Sequence, residues 1–146
     1  MKLSDLKKIK AVCNELESEP NWKEVVTEMH YQAIDFEVDG VRFIDAKYID
    51  EIMQEELRSD PYTLGCFNPS FLAEVTGLPI KSFEALQKAE CYEEIGEHIL
   101  IMNKLEDFQQ EYSSLDGYGV HFNSYDGSED FIAIEGSEYL IFDNRG

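Results

Sequence analysis

Positive charge is what this sequence has least of. Twelve lysines and arginines stand against 31 aspartates and glutamates, giving a formal net charge of −19 over 146 residues. Cationic contacts to phosphate supply most nucleic-acid affinity, so such a surface repels duplex DNA, anionic membrane and phosphorylated substrates. It attracts basic protein surfaces. Long apolar runs are missing too. No stretch approaches the ~20 residues of a membrane-spanning helix. No apolar segment follows the early lysines of MKLSDLKKIK, so a cytoplasmic location is expected. The cysteines are Cys13, Cys66 and Cys91, odd in number and far apart. That excludes a disulfide framework and predicts buried free thiols.

Chemistry-bearing patterns are equally sparse. His30, His98 and His121 have no partner at metal-ligand spacing, and there is no CxxC. The phosphate-cradling glycine motifs and GxSxG are absent, so no cofactor is implied. Glu94 and His98 stand four apart on an expected helix, a spacing at which most carboxylate–imidazole pairs are structural. Cys91 has no neighbouring base that marks it as a nucleophile. DGYGVHFNSYDGSED is rich in carboxylates, but Phe122 occupies the position where a calcium loop needs an oxygen ligand. No catalytic or metal-ligating residue is singled out, and enzyme chemistry is not expected.

What is present suits one α+β domain spanning residues 1–146. Apolar residues make up 43% of the chain and aromatics 12%, enough for a core without staples. Ser4 is placed to cap a helix to about residue 18, with Leu6, Ile9, Val12, Cys13 and Leu16 on one face. Lys7, Lys8 and Lys10 form a solvated side of it. Asn21 caps a second helix. AIDFEVDGVRFID predicts a hairpin with Asp39-Gly40 as its two-residue turn, setting Val38 against Val41, Phe36 against Phe43 and Glu37 against Arg42. Asp45 is expected to cap a helix over 46–58, and Asp60-Pro61 to open a short one. Asn68-Pro69 starts the next, which stops at Gly77. A further helix runs to about residue 89 and a long one over 91–112. GVHFN, DFIAIE and EYLIFD read as a C-terminal three-stranded antiparallel meander.

FLAEVTGLPIKSFEALQKAE carries a second signal. Ala73 sits where two helices approach, Gly77 follows four residues later at the turn, and Leu72, Leu78, Phe83 and Leu86 are spaced as a small core. Residues 69–88 thereby resemble the helix-turn-helix superfamily. Thr76 and Pro79 depart from its usual pattern. The resemblance implies a transcriptional regulator that reads DNA through Lys81, Gln87 and Lys88. Glu74, Glu84 and Glu90 surround those two lysines, and the basic patch of such regulators is absent. The expectation is a helix pair used for packing or protein contact, without direct nucleic-acid binding.

The acids are not evenly spread. Residues 105–146 hold ten of them against the single base Arg145. Asp116, Asp126, Glu129, Asp130, Glu135 and Glu138 fall in or beside expected turns, interleaved with aromatics. DGYGVHFNSYDGSED resembles the tails of small uncharacterised acidic proteins of bacteria and phages. In charge and size the chain is similar to the antirestriction DNA mimics. The expected function is non-enzymatic binding of a basic, DNA-binding protein through those six carboxylates. A helix-turn-helix regulator is the alternative.

Overall fold

The computed structural model describes residues 1–145. The fold is α+β, in the order α1 (Leu3–Glu15), α2 (Trp22–His30), β1 (Asp35–Val38), β2 (Val41–Asp45), α3 (Ile49–Arg58), α4 (Pro61–Gly65), α5 (Pro69–Thr76), α6 (Ile80–Lys88), α7 (Tyr92–Ile101), α8 (Leu105–Asp116), α9 (Gly119–Phe122), β3 (Asp130–Ile134) and β4 (Ser137–Asp143). By internal contacts the chain divides into two compact units. One joins residues 1–49 to 116–145; the other is the intervening 50–115.

The first unit is built on an antiparallel sheet of order β1-β2-β4-β3. Its hairpin has the expected register, with Val38 opposite Val41, Phe36 opposite Phe43 and Glu37 opposite Arg42. Asp39 and Gly40 both have positive φ, which matches the twist of the flanking strands. Alternation then turns Val38, Val41 and Phe43 inward. They meet Ile9, Cys13 and Leu16 of the α1 segment, Val25 and Met29 of α2, and Ile132, Tyr139 and Ile141 of the C-terminal strands. The Tyr139 hydroxyl donates to the Ala33 carbonyl at 2.9 Å, which satisfies the one polar atom of a buried ring. Two buried carboxylates also have partners. Asp5 accepts from the Glu135 amide at 3.3 Å, and Asp143 accepts from the Ser18 hydroxyl at 2.5 Å.

Several expectations are corrected here. GVHFN is not a strand: it forms the short helix α9, because Asn123 accepts the Tyr125 and Asp126 amides and closes a turn straight after it. The C-terminal meander therefore has two strands, and β4 completes the sheet by pairing with β2 of the hairpin. Glu37 stands opposite Arg42 as expected, but the Arg42 side chain makes a two-pronged contact with Asp35 at 2.9 and 2.7 Å, on the diagonal of the ladder. Ser4 caps nothing. Helix α1 begins at Leu3, and its cap residue Lys2 offers no side-chain acceptor. Asp45 closes a turn by accepting the Lys47 amide, so α3 starts only at Ile49.

The second unit is helical. Asp60 and Asn68 cap α4 and α5 by accepting the Thr63 and Ser70 amides, each just before a proline at the first helical position. The long helix expected over 91–112 is broken. Asn103 takes φ 58°, and the Lys104 amide turns back to the Ile99 carbonyl, which ends α7 and lets α8 start afresh. Helices α4 and α7 touch backbone to backbone through Gly65 and Gly96. A Cβ on Gly65 would overlap the Tyr92 carbonyl, and one on Gly96 the Pro61 carbonyl. Phe67, Phe71, Phe108 and Tyr112 form an edge-to-face aromatic cluster with centroids 4.7–5.0 Å apart across its main contacts. Gln109 is fully buried; its amide nitrogen donates to Asp50 and its oxygen accepts from Gln54, each at 2.9 Å.

The thiols also differ from expectation. Cys13 is buried, but Cys66 is exposed and Cys91 half-buried, since each of these two lies at the edge of a short helix. Burial pushes the Cys13 thiol up to about 11.

Candidate functional surfaces

The six predicted carboxylates all fall in the first unit and separate into two groups. Asp126, Glu129 and Asp130 lie where the chain enters β3; Glu135 and Glu138 lie at the far turn of the β3–β4 hairpin. Five residues of strand set those ends about 16 Å apart. Asp116 is the last residue of α8.

Half of these acids are engaged within the fold. Asp126 Oδ1 accepts the Ser128 amide at 3.0 Å and its hydroxyl at 2.7 Å, and Asn123 Nδ2 donates to it at 3.0 Å. The Ser128 bonds hold its carboxyl below the usual carboxylate range. Arg145 lies 3.9 Å from Asp126 and 3.1 Å from Glu17, and packs over the Tyr125 ring at 4.3 Å. Glu129 accepts the Tyr118 amide at 3.3 Å, and Glu135 meets Lys2 at 3.2 Å. Asp116, Asp130 and Glu138 are exposed, and no ion pair among the described residues neutralises them.

The second unit holds more acid than the sequence pattern brought out. Its 66 residues contain 14 acids and four bases. Glu74 of α5 and Asp107 and Glu111 of α8 line one open cleft of about 600 Å³ together with Val75, Gln110 and Ser114. Asp107 and Glu111 are four apart on a helix, a signal visible in the sequence; Glu74 joins them only through folding. Lys104, half-buried and 3.6 Å from the exposed Asp107, is a surface counter-ion and contributes little.

The helix-turn-helix-like pair is α5 and α6. Gly77 between them adopts φ 77°, a conformation that favours glycine, and its amide donates to the Ala73 carbonyl at 2.8 Å. Of the expected small core, Leu72 and Phe83 are buried, whereas Leu78 and Leu86 are exposed. Lys81 and Lys88 point to solvent on α6. Gln87 does not: its amide nitrogen donates to the Gly65 and Phe67 carbonyls at 2.9 and 2.7 Å. That side chain is occupied in tying α6 to the α4–α5 connection. Leu78, Phe83 and Leu86 face Ile95 and Ile99 of α7 across an apolar groove of about 300 Å³, which Glu94 and His98 also line.

Among the described residues no group of three or more His, Cys, Asp or Glu has a geometry that could hold a metal ion. None of their helices is long and apolar enough to cross a membrane. Comparisons of the chain with protein-family models, with curated proteins and with solved structures find no match.

Proposed function

We propose that this chain is a protein-binding module whose partner presents a basic surface. The observation that carries this reading is the excess of carboxylate: 14 acids against four bases in the second unit, and in the first the exposed Asp116, Asp130 and Glu138, which make no ion pair among the described residues. Like charges at this density repel one another and cost stability. A cationic partner relieves that repulsion, and its approach is accelerated by the same field.

The cationic face of a DNA-binding protein is a surface of this kind. Acting as a DNA mimic of the antirestriction sort is the narrower form of the reading, and it requires carboxylates in a continuous row. Asp116, Asp130 and Glu138 are available for such a row; Asp126 and Glu129 already serve the fold, and Glu135 has an exposed ion pair with Lys2 that contributes little. The experiment is capture from cell extract at low and high salt, followed by identification of the bound proteins and competition with duplex DNA. Enrichment of basic proteins at low salt supports the module, and displacement of DNA from them supports the mimic. A bound set with no bias toward basic proteins rejects both.

One observation favours a second reading, a DNA-reading regulator: α5 and α6 are joined through a left-handed Gly77, with Lys81 and Lys88 exposed. A mobility shift of duplex DNA whose affinity falls steeply with salt would establish it, because each phosphate contact releases counter-ions.

A further inference from the structure

The groove between α6 and α7 exposes apolar carbon where a packed helix pair would have none. Leu78 and Leu86, which line it, are 37% and 41% exposed. At about 300 Å³ the groove is at the lower end of the range for ligand pockets, about 300–1,000 Å³, so it suits anchoring side chains better than a whole cofactor. The chain around it is strongly acidic. Between residues 74 and 101 lie Glu74, Glu84, Glu90, Glu93, Glu94 and Glu97, against Lys81 and Lys88. All six acids are exposed, and among the described residues no ion pair engages them.

These facts constrain the occupant. The α6 and α7 walls are helical, and their backbone groups are spent within the helices, so an extended segment would find no partner for its own amides and carbonyls. A helix brings its own backbone bonds and needs only side-chain contact, with apolar anchors spaced i, i+3 or i+4, and i+7. The acidic surroundings select lysine or arginine beside those anchors. A second copy of this chain, at −19, would bring like charge to the same place. We propose that the α6–α7 groove docks an amphipathic helix of a partner protein, its apolar face seated against Leu78, Leu86 and Ile95 and its flanks basic. This rests on the reading of the chain as a module for basic proteins and gives that reading a seat and a partner shape.

The test uses the full chain and a synthetic helical peptide with leucines at i, i+4 and i+7 and lysines at the flanking positions, measured by fluorescence anisotropy and by amide shifts in NMR. A peptide with glutamates in place of the lysines is the control. The lysine peptide should bind and shift amides of α6 and α7, while the glutamate peptide should not bind. Leu86→Glu and Leu78→Glu, both at exposed positions, should each weaken binding at least tenfold with unchanged circular dichroism. Glu94→Lys should weaken it several-fold and flatten its salt dependence. Absence of binding by the lysine peptide, equal binding by the leucine variants, or shifts confined to residues 116–145 would overturn the proposal. So would sedimentation showing the groove filled by a second copy. Failure here with basic proteins still enriched from extract would remove the groove alone. Peptide binding without such enrichment would keep the groove and remove the wider reading.

Discussion

Gln87 separates a helix that reads DNA from a helix held in place by its fold. Its amide nitrogen donates to two backbone carbonyls, Gly65 at 2.9 Å and Phe67 at 2.7 Å, in a partly buried setting. Gln87→Ala removes both bonds. At about 0.5–1.5 kcal/mol for each bond, the expected loss is about 1–3 kcal/mol, toward the upper end where water does not replace the lost donor. Gln87→Glu keeps the shape but, when ionised, points a carboxylate at the same two carbonyls. That environment raises the introduced carboxyl above its usual range. The neutral form, which recovers one donor, is then favoured below the unfolded value, and its benefit is lost as pH rises through the folded one. The Gln87→Glu deficit should therefore be smaller near pH 4 than at pH 7. Denaturant unfolding of wild type and both variants at the two pH values is the assay. A loss under about 0.5 kcal/mol for Gln87→Ala, or a Gln87→Glu deficit independent of pH, would refute the structural role and return Gln87 to the candidates for DNA contact.

Other perturbations have equally definite outcomes. Gly96→Ala gains about 1 kcal/mol of helix propensity but drives a Cβ into the Pro61 carbonyl, so unfolding experiments should show a net loss of more than about 2 kcal/mol. Ser128→Ala removes the hydroxyl donor to Asp126 and leaves the backbone amide, so the Asp126 carboxyl, followed by NMR, should titrate closer to the ordinary range. In the wild type the stabilisation from these bonds is present above the unfolded aspartate value, about 3.9, and disappears as pH falls through the depressed folded one. Cys66 should react first with a thiol reagent at neutral pH, and Cys13 only on unfolding. Because the Cys13 folded value is raised to about 11, stability should decline as pH climbs from the unfolded thiol range toward that value.

The legible parts of this fold are those decided by neighbours in sequence. Asp39-Gly40 fixed both the turn and the register of its hairpin, and Asn21, Asp60 and Asn68 marked helix starts that the structure contains. Val120 and Phe122 illustrate the limit. Alternation over so few residues suits one helical turn as well as a strand, and the deciding bonds come from Asn123 beyond the segment. The pairing of β2 with β4 spans about a hundred residues and has no local signature. Asn103 did carry a signal for the break between α7 and α8, since asparagine tolerates the left-handed conformation, but the apolar stripe continues across it. Gly65 and Gly96, each within a helix, likewise marked a close backbone approach. For the candidate surfaces, composition counted the carboxylates but not their employment. Asp126 and Glu129 are tied to Ser128 and Tyr118, and three acids of the C-terminal third, Glu106, Asp107 and Glu111, belong to the helical second unit. A charge reversal that includes Asp126 would therefore disturb the fold as well as the surface charge.

The most direct measurement is the association rate with a captured basic partner, across a salt series, for the wild type and for a variant combining Asp116→Lys, Asp130→Lys and Glu138→Lys. These three acids are exposed and make no ion pair among the described residues, so the variant should fold as the wild type does. The account predicts fast association by the wild type at low salt, falling steeply as salt rises. The variant should associate about tenfold more slowly at low salt and converge with the wild type at high salt. Equal rates for the two proteins, unaffected by salt, would contradict it.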